Sequence, residues 1–171
     1  MKSFRDYLPE DILIPFFGSK DIVGVEIGVW RASGTMALLD KMPNLKLYSI
    51  DPWLHQKGRG YEMEGEQDGQ DLSFRVAFKR LKKYGARSVL LRMGSDDAIS
   101  KINELLDFVW IDGDHNEDQV RRDIINWRPK IKKRAIFCGH DWHLKHIRKA
   151  VLELVGEPTF GDDDIWYFKY E

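Results

Sequence analysis

The chain has 171 residues, 43% hydrophobic and 32% charged, and this balance excludes an intrinsically disordered protein. Its 27 Lys and Arg residues against 28 Asp and Glu residues leave a net charge of −1, which excludes a globally basic nucleic-acid binder. The single cysteine, Cys138, excludes an intramolecular disulfide and a zinc site built from cysteines. The length predicts one domain, residues 1–171, large enough to bury a core.

Neither a membrane span nor a signal peptide is predicted. The longest apolar stretches fall far below the roughly 18 residues that a spanning helix needs. The N-terminal residues lack the uninterrupted apolar run of a signal peptide. We therefore expect a soluble, cytoplasmic protein that does not bind membranes, with residues 1–20 packed against it as a short helical cap.

Short apolar runs alternate with longer amphipathic ones along the rest of the chain. The short runs predict buried strands at 22–27, 45–50, 88–91, 108–111 and 135–138. The longer runs, with apolar residues at helical spacing, predict helices at 33–42, 71–84, 96–105, 117–127 and 144–155. Residues 157–170 are predicted to form two short strands joined by a turn at 161–163.

This alternation predicts a doubly wound, Rossmann-like α/β fold, since right-handed crossovers place helices on both faces of a parallel sheet. The C-terminal hairpin requires one strand to run antiparallel at the edge of the sheet. Ligands of such folds bind beyond the carboxyl ends of the strands. Acidic and histidine side chains follow most of these predicted ends, and four of the five histidines lie between residues 115 and 146.

The turn after the first predicted strand has the small residues that a ligand cradle needs. Gly28 allows close backbone approach, and Ser33 keeps the start of the following helix small. Trp30 occupies the second glycine position of a dinucleotide-binding fingerprint, and Glu26 would repel a pyrophosphate. The turn therefore favours a cationic or zwitterionic ligand over a dinucleotide, with an ordinary tight strand-to-helix turn as the alternative.

Asp51 follows the second predicted strand, 23 residues beyond Gly28. A carboxylate at this position accepts hydrogen bonds from both hydroxyls of a ribose. Together with the glycine turn, it indicates an adenosine-containing ligand. The alternative is an exposed or helix-capping aspartate before Pro52.

Two further segments stand out. The loop from Trp53 to about Asp68 is too long for a compact connection and contains three glycines. It is predicted to be a mobile lid over the site, with inert disorder as the alternative. The basic run 128–134 precedes the fifth predicted strand, which places it at the opposite edge of the sheet. There it is interpreted as a solvated face.

The segments VEIGVWRASGT, LYSIDPW, RMGSDDA, FVWIDGDHNEDQVRRDI and FCGHDW resemble the motif series of class I S-adenosylmethionine (SAM)-dependent methyltransferases. The likeness is greatest to the small metal-dependent O-methyltransferases of the catechol and macrocin type. It runs from about Val23 to Trp142, and IDGDH followed by GHDW is its most specific part. The resemblance implies a seven-stranded sheet with an antiparallel edge strand.

The resemblance also implies roles for individual residues. The implied cofactor-binding residues are Glu26, Gly28, Trp30, Ser33, Asp51, Ser95, Asp96 and Asp112. Within this set Glu26 and Gly28 border the methionine part, Asp51 binds the ribose, and Ser95 and Asp96 meet the adenine. The implied metal ligands are Asp112, His140 and Asp141. The catechol-type pattern has Asp-Asn where this chain has His140-Asp141. Oxygen ligands suit magnesium, whereas the added imidazole admits manganese, iron or zinc.

These residues predict a metal-assisted O-methyltransferase. A divalent metal would lower the pKa of an acceptor hydroxyl, with Asp112 as the catalytic ligand and His115 as the general base. His143 is a second candidate base, and a purely structural role for His115 is the alternative. The acceptor would be a small molecule such as a sugar, a phenol or a natural product, and nucleic acid is not expected.

Other functions stay open at this point. One is a non-catalytic module that binds SAM or a nucleotide, another is an NAD-type oxidoreductase, and a third is a metal-independent methyltransferase. Exposed aromatic residues at 16–17 or 166–168 would serve a homo-oligomer, or would pack within the chain.

Overall fold

The computed structural model describes residues 9–55, 67–162 and 164–171. Its α-helices are α1 (Glu10–Phe17), α2 (Ser33–Lys41), α3 (Gln67–Leu81), α4 (Ser95–Ala98), α5 (Glu117–Trp127) and α6 (Lys145–Leu154). Its strands are β1 (Ile22–Ile27), β2 (Leu45–Asp51), β3 (Ser88–Arg92), β4 (Leu106–Ile111), β5 (Ile131–Gly139), β6 (Thr159–Phe160) and β7 (Trp166–Tyr170). Helix α1 lies within the segment predicted as an N-terminal cap.

The seven strands form one sheet in the order β3-β2-β1-β4-β5-β7-β6. Strands β1 to β5 are parallel, and β7 pairs antiparallel with both β5 and β6. The predicted Rossmann-like fold with a C-terminal antiparallel hairpin is therefore confirmed. The antiparallel strand β7 lies one position inside the edge, and the two-residue strand β6 forms the edge itself.

Two apolar cores cover the two faces of the sheet. One contains side chains from α1, α2 and α3, and the other contains side chains from α4, α5 and α6. Successive strand residues alternate between them: Leu47 belongs to the first core, whereas Tyr48 and Ile50 belong to the second. This alternation explains why the central strands β1 and β4 are largely apolar, since each is buried on both faces.

The segment predicted as a helix over 96–105 differs in the structure. Helix α4 ends at Ala98, one 3-10 turn covers 99–101, and Ile102 is buried in an extended backbone. Apolar residues at 99 and 102 imitate helical spacing. The chain instead uses Ile102 to fill the core on its way into β4.

The basic run is also corrected by the structure, because β5 begins at Ile131 rather than at 135. Lys132 pairs with Asp107 at 2.7 Å, and Arg134 donates to the Phe16 carbonyl at 3.0 Å. Arg128 donates to the Leu154 carbonyl at 2.9 Å. Lys132 and Arg134 thus tie β5 to other segments, and Arg128 ties the turn before β5 to α6, so the basic run is not only a solvated face.

Within the residues described, no helix combines the length and the apolar character needed to cross a membrane.

Gly24 in β1 leaves space for the Phe108 ring of β4, since a Cβ at residue 24 would lie 2.2 Å from Phe108 Cε1. We predict that Gly24→Ala destabilises the protein by about 1–3 kcal/mol, as overpacked cores do. Gly94→Ala is the control, because its Cβ would meet nothing closer than 4.0 Å. Equal urea midpoints for the two variants would contradict this view of the core.

Candidate functional site

The candidate site lies at the carboxyl edge of the sheet, where the strand order reverses between β1 and β4. This crevice is where open α/β sheets bind ligands. The non-glycine residues with a positive φ in the described chain are Trp30, Ala32, Trp53, Asp141 and Asp164. The first four follow the ends of β1, β2 and β5, and strained backbone of this kind marks functional sites.

Backbone contact joins the ends of β1 and β4. The Asp112 N–H donates to the Ile27 carbonyl at 2.8 Å, and the Gly28 N–H donates to the Ile50 carbonyl at 2.9 Å. Gly28 has φ +94°, and a Cβ there would lie 2.0 Å from the Asp112 carbonyl oxygen. The predicted cofactor turn and the predicted metal loop are therefore in direct contact.

The Asp51 carboxylate organises the turn after β1. Its Oδ2 accepts hydrogen bonds from the backbone N–H groups of Val29 and Trp30, at 3.0 and 2.9 Å. Its Oδ1 accepts from the Trp53 N–H at 2.8 Å. The carboxylate predicted to bind the ribose thus already accepts three backbone hydrogen bonds. Ribose binding stays a prediction and would use the remaining lone pairs of the Asp51 oxygens.

Two tryptophans, Trp30 and Trp53, fix the shape of this turn. The Trp53 indole is fully buried, and its Nε1 donates to the Trp30 carbonyl at 2.8 Å. Trp30 is 39% exposed on the rim, with the Arg31 guanidinium 4.9 Å from its ring centroid. The nearby Ser33 hydroxyl accepts from Arg80 at 3.1 Å. Sequence reasoning assigned Trp53 to a mobile loop and missed this buried anchor.

Glu26 lies beneath the turn and is 3% exposed. Burial raises the pKa of its carboxyl group to about 8, and the neighbouring Asp112 adds to this shift. The Thr35 hydroxyl, which donates to Glu26 Oε2 at 2.7 Å, opposes the shift. The protonated acid is favoured at neutral pH in this structure, and a cationic group placed beside it would favour the carboxylate.

The two residues predicted to meet the adenine are tied to α5. The Ser95 hydroxyl donates to the fully buried Asp123 carboxylate, and Gln119 donates to both of them, at 3.0 and 3.1 Å. Asp96 is exposed and pairs with Arg122 at 3.1 Å. Asp123 and Gln119 escaped sequence reasoning, because on α5 they look like ordinary polar helix residues.

A cluster of acidic and imidazole groups lies beyond β4 and β5. One ligand atom each from Asp112, His115 and Asp141 lie within 4.8 Å of one another. His115 Nε2 lies 2.7 Å from Asp141 Oδ2. His140 Nδ1 lies 3.2 Å from Asp141 Oδ1 and 3.5 Å from Asp112 Oδ1. The structure thus groups His115, predicted as the base, with two of the predicted metal ligands.

His140 belongs to a second group, formed with Asp141 and Asp164, whose ligand atoms also lie within 4.8 Å. Both groups share Asp141. The first of them borders a cavity of about 10 Å³ that is lined by Asp112, His115, His140 and Asp141. That is about the room that one water molecule or a comparably small ion needs.

The pKa values of the two carboxylates in this cluster shift in opposite directions. Burial raises the pKa of Asp112 to about 7, and Asp141 adds to the shift, whereas His140 and His115 oppose it. The Asp112 side chain is nevertheless 32% exposed, so a ligand can reach it from solvent. Burial also opposes ionisation of Asp141, but hydrogen bonds from His115 and His140 outweigh it and lower the pKa of Asp141.

The same interactions act on His115. Burial opposes its protonated form, yet the hydrogen bond and the charge of Asp141 outweigh burial and raise the pKa of His115. The His115 carbonyl also contacts His146 Nε2 at 2.6 Å, which ties this loop to α6.

The remaining candidates flank the cluster. The exposed His143 contacts Asp164, and the Trp142 ring packs against Phe160, with ring centroids 5.1 Å apart. Trp110 of β4 and Trp166 of β7 are buried in the core. The predicted lid falls mostly on residues 56–66, which lie outside the described residues.

Comparison with known proteins identifies the family. A family described as a methyltransferase domain matches residues 25–142, the region that holds all the predicted cofactor and metal residues. The chain belongs to the methyltransferase domain family. Its sheet is that of the Rossmann-like class I SAM-dependent methyltransferases. No curated protein matched the sequence of this methyltransferase-family chain.

Solved structures share the fold of this methyltransferase domain at low sequence identity. An rRNA methylase from Streptococcus thermophilus aligns with a TM-score of 0.64 and 12% identity, covering 94% of this chain and 93% of that one. A Staphylococcus aureus protein described as a caffeoyl-CoA O-methyltransferase aligns at 0.66 and 11%, covering 94% and 79%. The Streptococcus mutans protein SMU.1697c, solved in complex with SAH, aligns at 0.64 and 11%, covering 100% and 99%.

Asp123 gives the site a measurable pH dependence. Burial raises its pKa to about 6 from a normal 3.8, so the folded state binds a proton that the unfolded state has released between these values. Wild-type stability should therefore fall, relative to Asp123→Asn, by roughly 2–3 kcal/mol as the pH rises from 4 to 7. Urea unfolding at both pH values measures this difference.

Asp118→Asn, on the exposed side of the same helix, is the control. It should leave the pH dependence of stability unchanged. If the free energy of unfolding has the same slope with pH in Asp123→Asn and Asp118→Asn, burial does not raise the pKa of Asp123.

Proposed function

We propose that the protein is a SAM-dependent methyltransferase that methylates a hydroxyl group of a small molecule with the help of a divalent metal ion. The observation that carries this proposal is the contact between the Gly28 turn and the loop that begins at Asp112. The turn predicted to bind the cofactor thus adjoins a loop with carboxylate and imidazole groups, which supports the proposal. Methyl transfer needs such proximity, because donor and acceptor react in line.

The donor set fits a divalent metal. Asp112, His115 and Asp141 offer two carboxylates and one imidazole within 4.8 Å, beside a cavity of about 10 Å³. Mixed oxygen and nitrogen ligands suit manganese, iron or zinc, and magnesium would accept the carboxylates. A metal bound there would lower the pKa of a hydroxyl acceptor.

The protein's own residues then have distinct roles. Asp141 is 8% exposed and lies between two imidazoles, so it stays ionised as a fixed ligand. His115 is proposed as the nitrogen ligand. His140 Nδ1 lies 3.5 Å from Asp112 Oδ1 and 3.2 Å from Asp141 Oδ1 and would orient both carboxylates. His140 is proposed as the base that would take the proton released by the hydroxyl group.

On the cofactor side, the chain supplies a preorganised turn. Asp51 holds the amides of Val29 and Trp30, and Glu26 lies buried below as the acid predicted to border the methionine part. The positive charge of a sulfonium or ammonium group would favour the ionised form of Glu26. Such a group suits this site better than a pyrophosphate.

Cofactor binding separates the proposal from its alternatives. Calorimetric titration with S-adenosylhomocysteine should show micromolar binding both with and without EDTA, whereas NAD should not bind. Preferential binding of NAD would support an oxidoreductase instead, and no binding of either compound would contradict the methyltransferase assignment of this site.

Metal binding is the second test. Titration of the wild-type protein with Mn²⁺ should show one site, and Asp112→Asn should abolish it, because the variant loses a carboxylate of the proposed ligand set. Asp114→Asn is the matched control, because it removes a charge from the same loop and keeps the side-chain oxygen that accepts from the Asn116 N–H. Equal Mn²⁺ affinity of the two variants would contradict a metal ligand at Asp112.

The two histidines are distinguished in the same assay. His115→Gln should weaken Mn²⁺ binding more than His140→Gln, if His115 is the ligand. The reverse order would support the ligand set of Asp112, His140 and Asp141 that the resemblance implies, with His115 as the base. A non-catalytic module could still bind S-adenosylhomocysteine and Mn²⁺. It would be distinguished from an enzyme because it would transfer no methyl group to any hydroxyl acceptor in the presence of Mn²⁺.

A further inference from the structure

We propose that the turn of the C-terminal hairpin positions the ligands of the proposed metal site. Asp164 is assigned as a positioning residue that fixes residues 140–143, and thereby holds Asp141 in ligand geometry. This inference rests on the proposed function, because it concerns the same metal site.

Asp164 contacts the segment 140–143 through both its side chain and its backbone. Its Oδ1 accepts a hydrogen bond from the His143 N–H at 2.9 Å, and its Oδ2 contacts His143 Nδ1. Its carbonyl oxygen accepts from the Trp142 N–H at 3.3 Å. Asp164 therefore satisfies two consecutive backbone donors of the loop directly after Asp141.

The next strand holds the other end of the same loop. Trp166, at the start of β7, is fully buried, and its Nε1 donates to the His140 carbonyl at 3.0 Å. Asp164 and Trp166 thus hold the backbone on both sides of Asp141. The hairpin reaches this loop because β7 pairs with β5 and begins at Trp166, opposite Gly139.

Asp141 needs such support because of its own conformation. Its φ is +61°, in the left-handed region, which costs a non-glycine residue of order 1–3 kcal/mol. A backbone relieved of this strain would swing the Asp141 carboxylate away from His115 Nε2, which now lies 2.7 Å from it. Contacts outside the ligand set that orient ligands in this way are worth about 10–100-fold in metal affinity.

Asp164→Gly is the variant that isolates the side chain. Glycine accepts the φ of +73° at residue 164 without strain, so the change removes the two side-chain contacts with His143 and adds no steric conflict. We expect the Mn²⁺ affinity to fall about 10–100-fold, with the affinity for S-adenosylhomocysteine unchanged. Amide hydrogen exchange in residues 140–144 should accelerate even without metal.

Asp164→Asn is the conservative variant that a positioning role must rescue. Asparagine tolerates the left-handed backbone and keeps an oxygen that can accept from the His143 N–H, so most of the Mn²⁺ affinity should return. Asp162→Gly, two residues earlier in the same turn, controls for the flexibility that a glycine adds. It should leave metal affinity unchanged.

Three results would overturn the inference. Asp164→Gly could bind Mn²⁺ as the wild type does, Asp164→Asn could lose as much affinity as Asp164→Gly, or Asp162→Gly could lose as much as either. If Asp112→Asn abolishes binding in the same experiment, the proposed function stands and the role of Asp164 alone is wrong. If the wild-type protein does not bind Mn²⁺, the metal-dependent function is contradicted and this inference falls with it.

Discussion

The site depends on one close backbone contact, between the end of β1 and the end of β4. A Cβ at residue 28 would lie 2.0 Å from the Asp112 carbonyl oxygen, so the two strand ends meet at a distance that only glycine permits. Because interiors are close-packed, this approach cannot be varied by small adjustments. It fixes how far a ligand in the β1 turn lies from groups that follow β4. Methyl transfer is sensitive to this separation, since misplacement of reacting groups by about 1 Å can cost about 100-fold in rate.

Much of the fold was predictable because each strand carries its own signal. Strands buried on both faces are short apolar runs, and the convergence of their carboxyl ends follows from parallel pairing alone. The sequence could therefore place Asp51, Asp112 and Asp141 at one edge. It could not show what each side chain contacts there. Asp51 accepts hydrogen bonds from three backbone amides, and His115 lies with the carboxylates as closely as His140 does.

The errors have physical causes that lie outside local pattern. Ile99 and Ile102 have helical spacing, yet Ile102 is buried in an extended segment after α4. The first residues of β5 include lysines, which break the apolar pattern of a buried strand. Their partners come from other elements, as Asp107 of β4 does for Lys132. Trp53 looks like a loop residue until its indole finds the Trp30 carbonyl, 23 positions earlier. Each case involves a contact between distant residues, which tertiary packing creates and periodicity does not record.

The site residues form two groups on the two halves of the sheet, and two contacts join these groups, which we call seams. Strands β1 to β3 are followed by the turn predicted to bind the cofactor, by Asp51 and by Ser95, whereas β4, β5 and the start of β7 border the acidic and imidazole cluster. Gly28 against Asp112 forms the first seam. The second is the buried hydrogen bond from Ser95 to Asp123, on the helix that leads away from the Asp112 loop. Because Asp123 is buried and its Oδ2 has no hydrogen-bond partner among the described residues, this seam costs stability. A contact that costs stability is expected where it serves function. Here the contact between Ser95 and Asp123 would align the loop after β3 with the loop that begins at Asp112.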